Sequence, residues 1–134
     1  MNRRKILIVD DEPVNCRLLR EYLAGHACCD AVLNGEDAIK MFELAHKTRN
    51  PYNMILLDIA MPEMDGLEVL EKIRAFEESC GIPLGRGVKI IMVTAIKETF
   101  MQAFKKGAED YILKPVELNS LLSKLNEHLG ASQV

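Results

Sequence analysis

Three aspartates, a threonine and a lysine stand at points where apolar runs stop. Lys5-Ile-Leu-Ile-Val9 runs into Asp10 and Asp11, Met54 to Leu57 into Asp58, Val88 to Val93 into Thr94, and Tyr111 to Leu113 into Lys114. Aspartate is a poor strand residue and is rarely buried unpaired, so its place at the end of such runs asks for a reason. Carboxylates about 4 Å apart repel by about 4 kcal/mol per pair at an effective dielectric near 20. A hard divalent cation offsets that repulsion. Mg²⁺ prefers oxygen ligands and keeps several waters, so two or three carboxylates plus a backbone carbonyl suit it. A hydroxyl and an ammonium beside the metal fit an anion held against it, and a phosphoryl group with dispersed charge answers that description. Each residue also has a plainer use. Asp10 and Asp11 can cap a helix, Thr94 can be an ordinary strand residue, Lys114 a solvated lysine and Tyr111 strand filler. Those plainer uses would have to coincide at every polar strand end.

The elements that position these residues alternate. Lys5 to Val9 is an unbroken apolar run, as a parallel strand covered on both faces requires. Pro13 suits a first helical turn, Val14, Leu18, Tyr22 and Leu23 predict the stripe of helix one, and Gly25 predicts its stop. Cys28 to Leu33 is a weaker strand whose Asp30 points to a sheet edge, and Asn34-Gly35 turns the chain. Ala38, Met41, Phe42 and Ala45 mark a second helix. Asp65 with Glu68 three residues on predicts a capping box for a third helix through Leu67, Leu70 and Ile73. The stretch from Ser79 to Gly87 reads as a loop, Phe100, Ala103, Phe104 and Gly107 as a fourth helix and its stop, and Leu118 to Leu129 as a fifth helix. Five strands alternating with five helices predict an α/β fold, a doubly wound parallel sheet with right-handed βαβ links. In such sheets ligands bind beyond the carboxyl ends of the strands, where the five polar residues lie.

The chain has 134 residues, 49% apolar and 28% charged, with formal net charge −3. One domain over 1–134 with a core from about 5 to 129 is expected, and the charge argues against direct nucleic-acid binding. No apolar run is long enough for a membrane span, and the N-terminus does not resemble a signal peptide, so a cytoplasmic protein is expected. The four cysteines lack metal-ligand spacing and are expected to be small buried thiols. Met61, Met64, Met92 and Met101 are expected to be packing residues.

Four motifs carry a family resemblance: Ile8-Val9-Asp10-Asp11-Glu12, Leu57-Asp58-Ile-Ala-Met-Pro-Glu-Met-Asp-Gly66, Val93-Thr94-Ala95 and Gly107-Ala-Glu-Asp-Tyr-Ile-Leu-Lys114-Pro115. Together they resemble the receiver domain of two-component response regulators, over residues 5 to about 129. The resemblance implies a flavodoxin-like fold with strand order 2-1-3-4-5. It implies that Asp58 is the phosphoacceptor, and that Asp10, Asp11, Asp58 and the Ala60 backbone carbonyl hold Mg²⁺, with Mn²⁺ a possible substitute. Thr94 and Lys114 would contact phosphoryl oxygens, Tyr111 would be an aromatic switch, and the Lys114-Pro115 bond would be cis. Implied partners are a sensor histidine kinase or phosphotransfer protein as donor. A downstream protein would dock on the fourth helix, fifth strand and fifth helix, with the chain a monomer or a phosphorylation-dependent dimer. The resemblance makes the chain a signalling switch rather than an enzyme. The alternatives are a degenerate receiver that only binds, or the receiver portion of a longer DNA-binding or enzymatic regulator. A flavodoxin-type cofactor binder would need a Ser/Thr/Gly loop after strand one, where this chain has Asp-Asp-Glu. A P-loop is absent, and a dehalogenase-type phosphohydrolase would want an aspartate at Ala60. After Leu129 only Gly130-Ala-Ser-Gln-Val remains, with no output domain expected in it.

Overall fold

The computed structural model describes residues 4–130; the extreme N-terminus and the tail after Gly130 lie outside the described residues. Strands β1 (Lys5–Val9), β2 (Cys28–Val32), β3 (Met54–Asp58), β4 (Lys89–Thr94) and β5 (Asp110–Leu113) alternate with helices α1 (Pro13–Leu23), α2 (Gly35–Lys47), α3 (Gly66–Ser79), α4 (Phe100–Lys105) and α5 (Leu118–Leu129). All neighbouring pairs are parallel, in the order β2-β1-β3-β4-β5. This is the flavodoxin-like arrangement, and it makes β1 and β3 neighbours at the sheet centre.

Side chains alternate across the sheet because strand residues point to opposite faces in turn. Ile6, Ile8, Met54, Leu56, Ile91 and Val93 pack beneath α1 and α5. Leu7, Val9, Ile55, Leu57, Ile90 and Met92 pack beneath α2 and α3. Both faces are covered, which is why the central strands read as continuous apolar runs rather than alternating ones.

Local chemistry sets the helix starts. The Asn34 side chain accepts the Asp37 N–H at 2.8 Å and so caps α2 rather than merely turning the chain. Asp65 accepts the Glu68 N–H at 3.0 Å and caps α3. Gly66 follows it for a reason of space. A Cβ there would lie 2.2 Å from the Asp58 carbonyl oxygen and 2.8 Å from the Ile59 Cα, so α3 begins in backbone contact with the end of β3.

Several expectations need correction. The buried face of α1 is Cys16, Leu19 and Leu23, while Val14 is 76% exposed and Leu18 only partly covered. Cys16 is buried as expected, but Cys28 and Cys80 are exposed and Cys29 is half-buried, because β2 is an edge strand and Cys80 follows the end of α3. Met61 and Met92 are in the core, but Met101 lies on the outer side of α4. That helix is shorter than its apolar pattern implied and is entered through a 3-10 turn at Lys97–Thr99.

Candidate functional site

The register of β1 on β3 pairs Val9 with Leu57, so the residues that follow, Asp10 and Asp58, emerge side by side at the carboxyl edge. Both are buried, Asp10 at 2% and Asp58 at 5% exposure, while Asp11 is half-exposed. Oxygens of Asp10, Asp11 and Asp58 all lie within 4.8 Å of one another. Lys114, at the end of β5, reaches across β4. Its Nζ donates to Asp10 Oδ2 at 3.0 Å and lies 3.4 Å from Asp58 Oδ2. The Lys114 N–H also bonds the Thr94 carbonyl at 2.9 Å, which fixes where the side chain starts. The Lys114-Pro115 bond is cis.

The electrostatics follow from crowding. Burial pushes the Asp58 carboxyl above its usual range; the Lys114 charge pulls it down, Asp10 pushes it further up, and an Ala60 backbone hydrogen bond lowers it. Burial by itself would lower Lys114, but the hydrogen bond to Asp10 and the charges of Asp58 and Asp10 outweigh it and leave its pKa raised. Asp58 is pushed up because it faces burial and the like charge of Asp10, while Lys114 faces two opposite charges. Three carboxylates against one ammonium leave a net negative, oxygen-rich pocket. That donor set suits a hard cation such as Mg²⁺.

Thr94 is fully buried, and its Oγ1 accepts the Ile96 N–H at 2.9 Å. It closes its own loop rather than touching an aspartate. Tyr111 is half-buried and stacks on Phe100, with ring centroids 3.5 Å apart and planes at 23°. Glu12 heads α1 with no side-chain cap, and its N–H donates to Asp10 Oδ1 at 2.9 Å.

Two features had no signal in the sequence. The Asn15 amide donates to Asp10 Oδ2 at 3.3 Å from one turn into α1, where a lone Asn carries no pattern. Asn15 also lines an apolar groove of about 350 Å³ beside Lys114, walled by Leu18, Leu19, Pro115 and Val116. At the opposite end of the sheet Arg74 bonds the Val88 and Gly107 carbonyls and pairs with Glu77 and Glu109. Glu77 in turn accepts the Val88 N–H and Glu109 the Ile90 N–H, so one guanidinium ties α3 to the starts of β4 and β5.

The family model described as the response regulator receiver domain matches residues 6–126. The chain belongs to the response regulator receiver domain family. Among solved structures, the chain is similar to the Thermotoga maritima response regulator TrrA in complex with Mg²⁺ and beryllofluoride. The identity is 32%, the TM-score 0.75, and the match covers 92% of this chain and 97% of that one. It is also similar to the receiver domain of a Saccharomyces cerevisiae response regulator in co-crystal with a histidine phosphotransfer signalling protein. There the identity is 28%, the TM-score 0.80, and coverage 94% of this chain and 88% of that one. Among curated relatives, the transcriptional regulatory protein SrrA of Staphylococcus aureus is 36% identical over 132 residues, covering 96% of this chain and 49% of that protein. The chain spans 7% to 49% of the length of the first curated relatives it matches. As a receiver domain it is a switch unit of two-component signalling. No helix among the described residues is long and apolar enough to cross a membrane.

Proposed function

We propose that Asp58 is the phosphoacceptor of a Mg²⁺-dependent switch. The observation that carries this is one pocket: a buried Asp58, Asp10 and Asp11 oxygens within 4.8 Å of its own, and the Lys114 ammonium bridging Asp10 and Asp58. An Asp58 oxygen attacks the phosphorus of a phosphohistidine in line. The P–N bond breaks as the new P–O bond forms, and the imidazole leaves with the electron pair and takes up a proton. Asp10, Asp11, Asp58 and the Ala60 carbonyl would hold Mg²⁺, or Mn²⁺ on the same oxygen set, which when bound would neutralise charge on the transferring oxygens. Lys114 pairs with one phosphoryl oxygen. The Thr94 hydroxyl accepts from Ile96 and keeps its own proton, which it donates to a second oxygen.

The phosphoryl group brings about −1.5 to −2 charges, by analogy with other phosphoresidues. Drawing Thr94 toward it pulls on the 94–96 turn and so on the Phe100–Tyr111 stack. Tyr111 turns inward, and the α4, β5 and α5 face changes shape for a downstream protein. That face carries exposed Met101, Phe104, Leu113 and Leu118, which suits a protein partner. The donor is a sensor histidine kinase or a phosphotransfer protein. The co-crystal of the yeast receiver domain with a phosphotransfer protein supports a protein donor, and the apolar groove beside Lys114 offers such a donor a surface next to the pocket. The unit from about 5 to 129 works as one cytoplasmic switch, without an enzymatic activity on other substrates and without direct nucleic-acid contact. It acts as a monomer or as a phosphorylation-dependent dimer.

A second reading makes this unit the receiver portion of a longer regulator, and the share of the relatives' length that it spans favours it. A degenerate, binding-only receiver is disfavoured because Asp10, Asp11, Asp58, Thr94 and Lys114 are all present.

Beryllofluoride with Mg²⁺ tests the coupling. Amide NMR shifts are expected at Asp58 and, in the same titration, at Tyr111 and along α4. Thr94→Ala is expected to keep the first set and lose most of the second. Full propagation to Tyr111 in that variant would break the proposed link.

A further inference from the structure

The amino ends of the strands hold a second cavity, roughly 15–17 Å from Asp58 by the rise of β3. It measures about 380 Å³ and opens between α2, the 51–53 link, the 79–87 loop and the end of α5 at Leu129. Its floor is apolar, with Phe42, Tyr52 and Val88 buried there and Ile82 half-buried. Arg86 and Lys89 line it, and among the described residues neither is in an ion pair. The only acid in the lining among the described residues, Glu77, is already engaged. Its Oε1 accepts from Arg74 at 2.6 Å and its Oε2 from the Val88 N–H at 2.7 Å. The lining is thus cationic in a chain whose formal net charge is −3.

The loop wall is built rather than loose. The Ile82 N–H bonds the Glu77 carbonyl at 3.0 Å, and the Arg86 N–H bonds the Pro83 carbonyl at 3.0 Å. A Cβ on Gly87 would lie 2.1 Å from the Glu77 carboxylate, so the wall passes directly over that buried group. Pre-formed cavities of about 300–1,000 Å³ with an apolar lining and a few convergent polar groups are where small molecules bind.

We propose that this cavity binds a small organic anion with a flat apolar body, such as an aromatic carboxylate. The ring lies over the Phe42 and Tyr52 floor, and the carboxylate meets Arg86 and Lys89. Exposed ion pairs alone bind weakly, and an apolar floor alone does not select an anion; affinity here needs both. Nothing in this depends on phosphorylation, since the cavity shares no residue with the Asp58 pocket.

The test is an amide NMR titration with 1-naphthoate and with neutral 1-naphthamide, on wild type and on Arg86→Gln/Lys89→Gln. Both substituted residues lie outside the core, so the variant's spectrum is expected to stay native-like elsewhere. Saturable naphthoate shifts confined to residues 42–53, 77–89 and the end of α5 at Leu129 are expected. Naphthamide on wild type, and naphthoate on the variant, are each expected to bind at least about tenfold more weakly, the equivalent of about 1.4 kcal/mol. Equal binding of the acid and the amide, or no loss in the variant, overturns the proposal, as do shifts centred elsewhere or none at all. Sedimentation at the same concentrations is expected to show no change of mass on the double substitution. Self-association abolished by it would mean that a second copy covers this face, and would also overturn the proposal.

Discussion

Asp58 is the residue where burial and charge conflict most directly. Its pKa is raised in the folded state, by burial first, with the Asp10 charge adding to it. A raised carboxyl pKa means that the fold favours the protonated form. Its contribution to stability is present at low pH and is lost as pH rises through the folded value. Without Mg²⁺ at neutral pH, the ionised group therefore costs stability. Asp58→Asn is expected to fold and to melt at a higher temperature than wild type at pH 7 without Mg²⁺. The gap should narrow on acidification and on adding Mg²⁺, as thermal unfolding across that grid would measure. A lower melting temperature for the variant at pH 7 would contradict the electrostatics of the pocket. Asp10, Asp58, Thr94 and Lys114 were legible in the sequence because strands buried on both faces read as apolar runs, and a polar residue marks where each run leaves the sheet. Asn15 and Arg74 were not. The groups that Arg74 holds lie 3, 14, 33 and 35 residues away, and no local pattern encodes that convergence.

At the scale of elements, the start of α3 is the tightest joint. Gly66→Ala forces a Cβ into the Asp58 carbonyl, and something must shift. A loss of about 2–4 kcal/mol in urea unfolding is expected, along with loss of phosphoryl uptake, since the strained backbone carries Asp58. A variant with wild-type stability and uptake would show that α3 can slide. The second joint fastens α5 to β5. Asp110 accepts from Lys124 and His128, at 2.8 and 2.9 Å, and from the Tyr111 N–H at 2.8 Å. Burial alone would raise its pKa, but those hydrogen bonds and the Lys124 charge outweigh it and lower the value. A lowered carboxyl pKa contributes stability above the unfolded value near 3.9, lost as pH falls through the folded one. Asp110→Asn is expected to cost about 1–3 kcal/mol at pH 7, a difference that fades below about pH 4. A pH-independent difference would point to packing instead. No local pattern signalled this cluster, whereas the helix itself was plain from its leucines. In α1 the expected stripe holds at its end, where Leu23 is buried and Tyr22 packs on the core, and fails at its start, where Val14 and Leu18 face out. Leu18 and Leu19 are adjacent, either can face the core, and Cys16 acts there as a small apolar residue.

At the scale of the whole molecule, the alternation of strands and helices was enough to predict the parallel sheet, whereas the strand order came from the family resemblance, because adjacency of β1 and β3 leaves the places of β2, β4 and β5 open. What the alternation could not give was the amino end of the sheet. Its chemistry is assembled from α3, the 79–87 loop and the turn before β5, which meet only on folding. The two ends are distinct. The carboxyl end gathers buried acids around Asp58, and the amino end ties its acids to Arg74 and leaves Arg86 and Lys89 free of ion pairs among the described residues. The central claim concerns the first of these ends. It is tested most directly by the intact mass of the protein after incubation with a small acyl phosphate, with and without Mg²⁺, for wild type and Asp58→Asn. One added phosphoryl group in wild type, dependent on Mg²⁺ and absent from the variant, is the predicted result. A stable phosphoryl group on Asp58→Asn, or equal labelling of wild type without a divalent cation, would contradict it.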